Sequence, residues 1–176
     1  MENLVIDETC SFAGSSAGAL SVVVTGEVKL ISLESRGSVS GVDNVGGLVG
    51  HVKGLKQEVV LIDHCANEGS INGSNNIGGF AGTFSGNEGA NVTVVDSFND
   101  ADVHGSQNDV GGLVGCVDEN ANINVTLSDT YNSGNVDGRY YVGGMIGRLR
   151  DNKQSGVVVT NSNNYGTIVK DLETSS

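Results

Sequence analysis

The chain contains no proline and no tryptophan, has nine Lys and Arg against 21 Asp and Glu, and is 5% aromatic. The shortage of base gives a net charge of −12 and excludes nucleic acid as a natural partner, because holding phosphates takes clustered Lys and Arg. An acidic balance favours solubility and draws basic surfaces or cations. No run of 18 apolar residues occurs, so no membrane span is expected in this chain. Met1-Glu2-Asn3-Leu4 lacks the basic start and apolar block of a secretory signal. The expected location is therefore cytoplasmic if Met1 is the natural start, and the cell surface or secreted if the chain is part of a larger protein. Cysteine is scarce too. Cys10, Cys65 and Cys116 are odd in number and form no CxxC, which predicts free thiols serving as small core fillers.

What is present is glycine, 27 of them, within a chain that is 38% apolar and 17% charged. That apolar share is too high for a disordered chain, and so many Gly and β-branched residues are costly in helix. Order appears as recurrence. Val45-Gly46-Gly47-Leu48-Val49-Gly50 returns as Ile77-Gly78-Gly79-Phe80-Ala81-Gly82, Val110-Gly111-Gly112-Leu113-Val114-Gly115 and Val142-Gly143-Gly144-Met145-Ile146-Gly147, at steps of 32, 33 and 32 residues. Gly14 and Gly18 lie 32 residues before Gly46 and Gly50 and suggest a degenerate first copy in residues 1–27, as an end turn with one neighbour requires. The array is expected over 28–169, with a tail at 170–176.

Each repeat divides into three short β-type pieces. One follows Asn-x-Gly, as in Asn67-Glu68-Gly69-Ser70-Ile71-Asn72-Gly73. A second is the Gly-Gly stretch, and a third is an alternating run such as Val60/Ile62 or Val92/Val94, the period-two mark of a strand with one buried face. Polar loops at 51–58, 85–91, 118–124 and 151–156 separate the last two pieces and are expected to absorb the one-residue change in period. Three such strands cannot bury a core alone, but stacked turns can. The expected fold is an all-β parallel β-solenoid of about five turns, roughly 24 Å long at the usual strand spacing.

Columns then carry meaning. Asn67, Asn99, Asn132 and Asn164, with Ser35 before them, predict a corner ladder of stacked amides. Leu48, Phe80, Leu113 and Met145 are expected inside. Val49, Ala81, Val114 and Ile146 fall on the opposite side of that strand, where an exposed aliphatic ladder would invite docking. Ser32, His64, Asp96, Asp129 and Asn161 form a further column. Asp96 and Asp129, one strand apart, need water, donors or a cation, and a Ca²⁺ site is one reading of them. No HExxH, GxSxG or GxxxxGK[ST] occurs, and Cys65 beside His64 would point to the other face of its strand.

Gly47-Leu48-Val49-Gly50 and Gly112-Leu113-Val114-Gly115, with the looser Gly79-Phe80-Ala81-Gly82 and Gly144-Met145-Ile146-Gly147, resemble the GLUG-motif repeat family over about residues 28–169. The resemblance implies a repeat of large bacterial or protozoal surface and adhesin-like proteins, acting as a non-catalytic stalk or binding array. The expectation is a non-enzymatic module without cofactor or metal, meeting a protein or glycan partner at a surface. Two alternatives stand beside it. One is an intracellular assembly protein that self-associates through strand edges or the aliphatic ladder. The other is a carbohydrate-active β-helix enzyme, for which Asp96 and Asp129 are the candidate carboxylates.

Overall fold

A strand with one apolar face still needs partners along both edges, and this chain supplies them from its own next turn. The computed structural model describes residues 1–171. It is a parallel β-solenoid of about five turns, built from strands without helix among the described residues. Residues 32 or 33 apart pair in register, as in the stack Val60, Val92, Val125, Val157. The expected tail at 170–176 lies outside the described residues from 172 onward, and Lys170 ends the strand Ile168–Lys170.

Three sheets run along the rod, and two of them bend. Sheet A holds strands such as Val59–Asp63 and Asn91–Val95, and continues past a corner as Ala66–Asn67 and Phe98–Asn99. Sheet B folds into two arms, Ile71–Gly73 and Asn75–Gly78 in the third turn. Sheet C is a single layer that includes Val49–Lys53, Ala81–Ser85 and Val114–Asp118. The main core fills the space between sheets A and C. Leu48, Phe80 and Leu113 are buried there and Met145 packs against them. A second, smaller core of Val39, Val45, Ile71, Ile77, Val103 and Val110 fills the fold between the arms of sheet B. Each of these fully buried side chains contributes about 1.5–3 kcal/mol, but only because the turn above and the turn below close over it.

The corners explain why Asn, Asp and His recur. Ser32, His64, Asp96, Asp129 and Asn161 all have positive φ, between 46° and 53°. So do Asn44, Asn76, Asp109 and Tyr141 in the second arm of sheet B. Short polar side chains tolerate this left-handed backbone better than most. The Asn67 column, by contrast, has no positive φ and owes its asparagines to something else.

Two offsets differ from expectation. In the first turn Ala17 pairs with Val45 and Gly18 with Gly46, 28 residues on, so Gly18 is the equivalent of Gly46 and not of Gly50. Residues 1–27 are a complete but shortened turn that pairs with all three sheets. The extra residue of the longer period sits in the bend of sheet B and not in the polar loops: Gly73 pairs with Gly105, whereas Ile77 pairs with Val110. The register shift recurs between Gly105 and Asn108 on the other edge of that strand. The polar loops cannot absorb it because they are themselves stacked, through bridges from Lys56 to Glu88 to Ala121 to Lys153.

Candidate interaction face

The asparagine column is an internal hydrogen-bonded ladder. Asn67 Nδ2 donates to Asn99 Oδ1 at 2.7 Å, Asn99 to Asn132 at 2.7 Å, and Asn132 to Asn164 at 2.8 Å. Each Nδ2 also donates to the carbonyl two residues on. Asn67, Asn99 and Asn132 are fully buried. Their amides lie against the second glycine of the Gly-Gly pair, where a Cβ on Gly47 would come 2.5 Å from the Asn67 side chain. At the top of the ladder Ser35 is too short to donate, and Asn67 Oδ1 is left buried without a partner. A second ladder, Asn87 to Asn120 to Asn152, runs through the loops at 3.0 and 2.9 Å. The sequence carries it as a spacing of 33 and 32 within segments that vary too much around it to attract notice.

The aliphatic column is not a surface. Val49 is 2% exposed, Ala81 and Val114 0%, and Ile146 packs against the same core from the last full turn. The cause is the glycine that follows each of them. Gly50, Gly82, Gly115 and Gly147 lie against the backbone of sheet B, and a Cβ on Gly82 would meet Asn44 C and Val45 N at 2.5 Å. These glycines also drop out of the sheet C pairing between residues that do pair, such as Ala81 and Thr83. The strand kinks there, so Val49 and Val52, three residues apart, enter one core. Their reverse side meets sheet B instead of water.

The seam between sheets B and C is polar. Asn44 Oδ1 accepts from Asn76 Nδ2 at 3.1 Å and from Thr83 Oγ1 at 2.7 Å. One turn on, the seam becomes ionic. Asp109 replaces the asparagine, and Arg148 Nη1 lies 3.8 Å from its Oδ1 while the guanidinium sits 4.1 Å over the Tyr141 ring. Asp118 bonds to Arg150. Burial pushes the Asp109 carboxyl up, against the opposing charges of Arg148 and Arg150. Burial, then the charges of Asp109 and Asp118, push the Cys116 thiol up to about 12, which leaves it a poor nucleophile at neutral pH. Cys10, Cys65 and Cys116 are free thiols, the last two buried.

The exposed face with most chemistry lies across the short arm of sheet A and the first arm of sheet B. Alternate residues point outward there. Ala66, Phe98 and Tyr131 stack in one column, and the Phe98 and Tyr131 rings are parallel, 4.9 Å apart and 1° from coplanar. Tyr165, 70% exposed, tilts against Tyr131 at 6.1 Å. Carboxylates flank the rings. Asp96 and Asp129 stand exposed on the corner side, and Glu68 and Asp100 on the other. Burial, then the charges of Asp100 and Glu68, raise the Tyr131 phenol above its ordinary pKa. Further across, an open depression of about 480 Å³ is bordered by Asp102, His104, Asn135, Asp137 and Thr167. His104 Nδ1 and Asp137 Oδ2 are 2.9 Å apart, and Asp137 Oδ1 has no hydrogen-bond partner.

Asp96 is grouped less with Asp129 than with His64 and Asp63, whose ligand atoms all lie within 4.8 Å of one another. His64 Nδ1 bonds Asp63 Oδ1 at 2.5 Å, which, with the charges of Asp63 and Asp96, holds the imidazole pKa up. One imidazole and two carboxylates are a donor set that a divalent cation can use. The aromatic column escaped the sequence reading because its members differ in type and one turn carries Ala66. Its signal was position alone, one residue before each ladder asparagine. No protein-family profile matches this chain, and neither a curated protein nor a solved structure matches it.

Proposed function

We propose that the chain is a non-catalytic β-solenoid module that presents a lateral binding face, in the manner of the repeats of surface and adhesin-like proteins that its Gly-Leu-Val-Gly segments resemble. The observation that carries this reading is the outward face just described, where register stacking sets Phe98, Tyr131 and Tyr165 among carboxylates on a rigid surface. A rod whose interior is closed by ladders can vary outward residues one at a time without disturbing the core, which suits recognition. A surface or secreted location belongs to the same proposal. The test is to probe peptide and glycan arrays with the whole chain, alongside polysaccharide-cleavage assays of the wild type and of Asp96→Asn/Asp129→Asn. Saturable binding with no cleavage is expected. Cleavage abolished by the double substitution would establish the enzyme alternative instead.

The assembly alternative keeps one supporting observation after the aliphatic ladder is assigned to the core. Among the described residues, apolar side chains of the core columns are exposed in the last turn, Leu149 by 54%, Val159 by 45% and Ile168 by 47%. Open strand edges beside apolar residues favour end-to-end association. Light scattering across a wide concentration range decides it, and a monomer at every concentration removes it.

A further inference from the structure

We propose that the aromatic and acidic face binds an extended, basic segment of a partner protein, with its Lys and Arg side chains seated among Asp96, Asp100, Asp102, Asp129 and Asp137. The proposal rests on the reading of the chain as a binding module and names the chemistry of its partner.

Charge complementarity is the first argument. On this face Arg36 offsets the carboxylates near it, contacting Glu34 at 2.5 Å and Glu68 at 3.4 Å. The turns that carry Phe98 and Tyr131 place five aspartates outward and no Lys or Arg at the intervening outward positions, where His104 stands 2.9 Å from Asp137. Ser133 bonds Asp100, and the Asn135 amide bonds Asp102 at 2.8 Å. These bonds fix the carboxylates in place but do not neutralise them. Geometry is the second argument. Asp96 stands at a positive-φ corner, and Asp100 and Asp102 on the bend between the strands Phe98–Asn99 and Val103–Gly111, so an extended peptide that follows this edge of the turn passes carboxylates on both sides of the rings.

The stacked pair favours a cation over a sugar. A pyranose needs an open aromatic face, and Phe98 and Tyr131 cover one another. Their edges instead offer apolar contact to the methylene stems of Lys and Arg. Tyr165 leaves a face exposed for a guanidinium. The protein makes this contact twice within itself, Arg148 over Tyr141 at 4.1 Å and Arg139 over Tyr140 at 5.1 Å.

The test titrates the whole chain with a fluorescent decapeptide of alternating Arg and Ser. The variants use residues the fold already places in the same columns: Asp96→Asn and Asp129→Asn match Asn161, Asp100→Ser matches Ser133, and Tyr131→Asn matches Asn163. The triple Asp96→Asn/Asp100→Ser/Asp129→Asn should weaken binding about tenfold, whereas Glu88→Gln/Glu119→Gln/Asp151→Asn on the loop edge, with the same change in net charge, should weaken it less than about twofold. Tyr131→Asn should weaken it as well, and affinity should fall with added salt. Equal losses from the two triples would mean diffuse attraction to an acidic protein and overturn the proposal. Binding to an uncharged oligosaccharide, with none to the peptide, would overturn it and leave the binding-module reading intact. Binding to no peptide and no glycan removes both.

Discussion

At the residue scale the molecule depends on side chains that bond to their own copies. Asn99 accepts from Asn67, donates to Asn132 and donates to Ala101 O, all at 2.7 Å and without exposure. Asn99→Ala removes three bonds and strands two buried neighbours, so it should cost about 3 kcal/mol or more. The half-buried Asn164→Ala at the ladder's end should cost about 1 kcal/mol. Urea midpoints of the two variants check the ratio. Asp109 makes the opposite case. Its equivalents, Asn44 and Asn76, are neutral and hydrogen-bonded to one another, while its own carboxyl is buried and has its pKa raised by that burial. A raised pKa means the folded state holds the proton more tightly than the unfolded chain. The stabilisation is full below the unfolded value, about 3.9, and is lost as pH rises through the folded one. Asp109→Asn should therefore be more stable than the wild type at pH 7 and lose that advantage as the solution is acidified below about 4. Urea denaturation at the two pH values reads it, and a variant less stable at pH 7 would show that the Arg148 contact outweighs burial.

At the element scale the sheets are held together by what glycine omits. Gly82 lets sheet C lie on the backbone of the sheet B arm, with Asn44 C and Val45 N at 2.5 Å from where a Cβ would stand. Neither neighbour is a side-chain end that can swing away. Gly82→Ala should cost about 3 kcal/mol or prevent folding, whereas Gly26→Ala, with nothing within 4 Å, should change little. The same elements show what was legible in the sequence. Val60/Ile62 and Val92/Val94 announced strands because alternation survives translation into one buried face. The Gly-Gly columns announced stacking because each copy does the same work. The position of Val49 was not legible, since counting alternate residues assumes a straight strand and the kink at Gly50 reverses the count. The second arm of sheet B was also hidden, because Asn75–Gly78 alternates too briefly to show a period. The acidic aromatic face is legible only once the columns are aligned, since Ala66, Phe98 and Tyr131 share a position and not a residue type.

At the scale of the whole molecule, a rod in which each turn pairs its strands only with the next should behave approximately as a sum of turn stabilities and interfaces between turns. The registers make that testable. Val59 pairs with Asn91 and Asp63 with Val95, so excising residues 59–90 joins Glu58 to a residue in the position of the one removed. Every ladder then closes one turn shorter: Ser35 faces Asn99, and the first-arm strand at Val39 meets Val103, in the same columns as before. The shortened chain should fold, unfold cooperatively, and show a denaturant slope smaller by about a fifth, because slope follows the surface exposed on unfolding. Excising only 59–74 removes half a period. Sheet A residues would then stand over sheet B, and inward valines would face asparagine columns, so no folded rod is expected. Circular dichroism and urea titration of the two deletions decide the matter. Equal damage from both would mean that stability is pooled over the whole chain and does not reside in the stacking of like upon like.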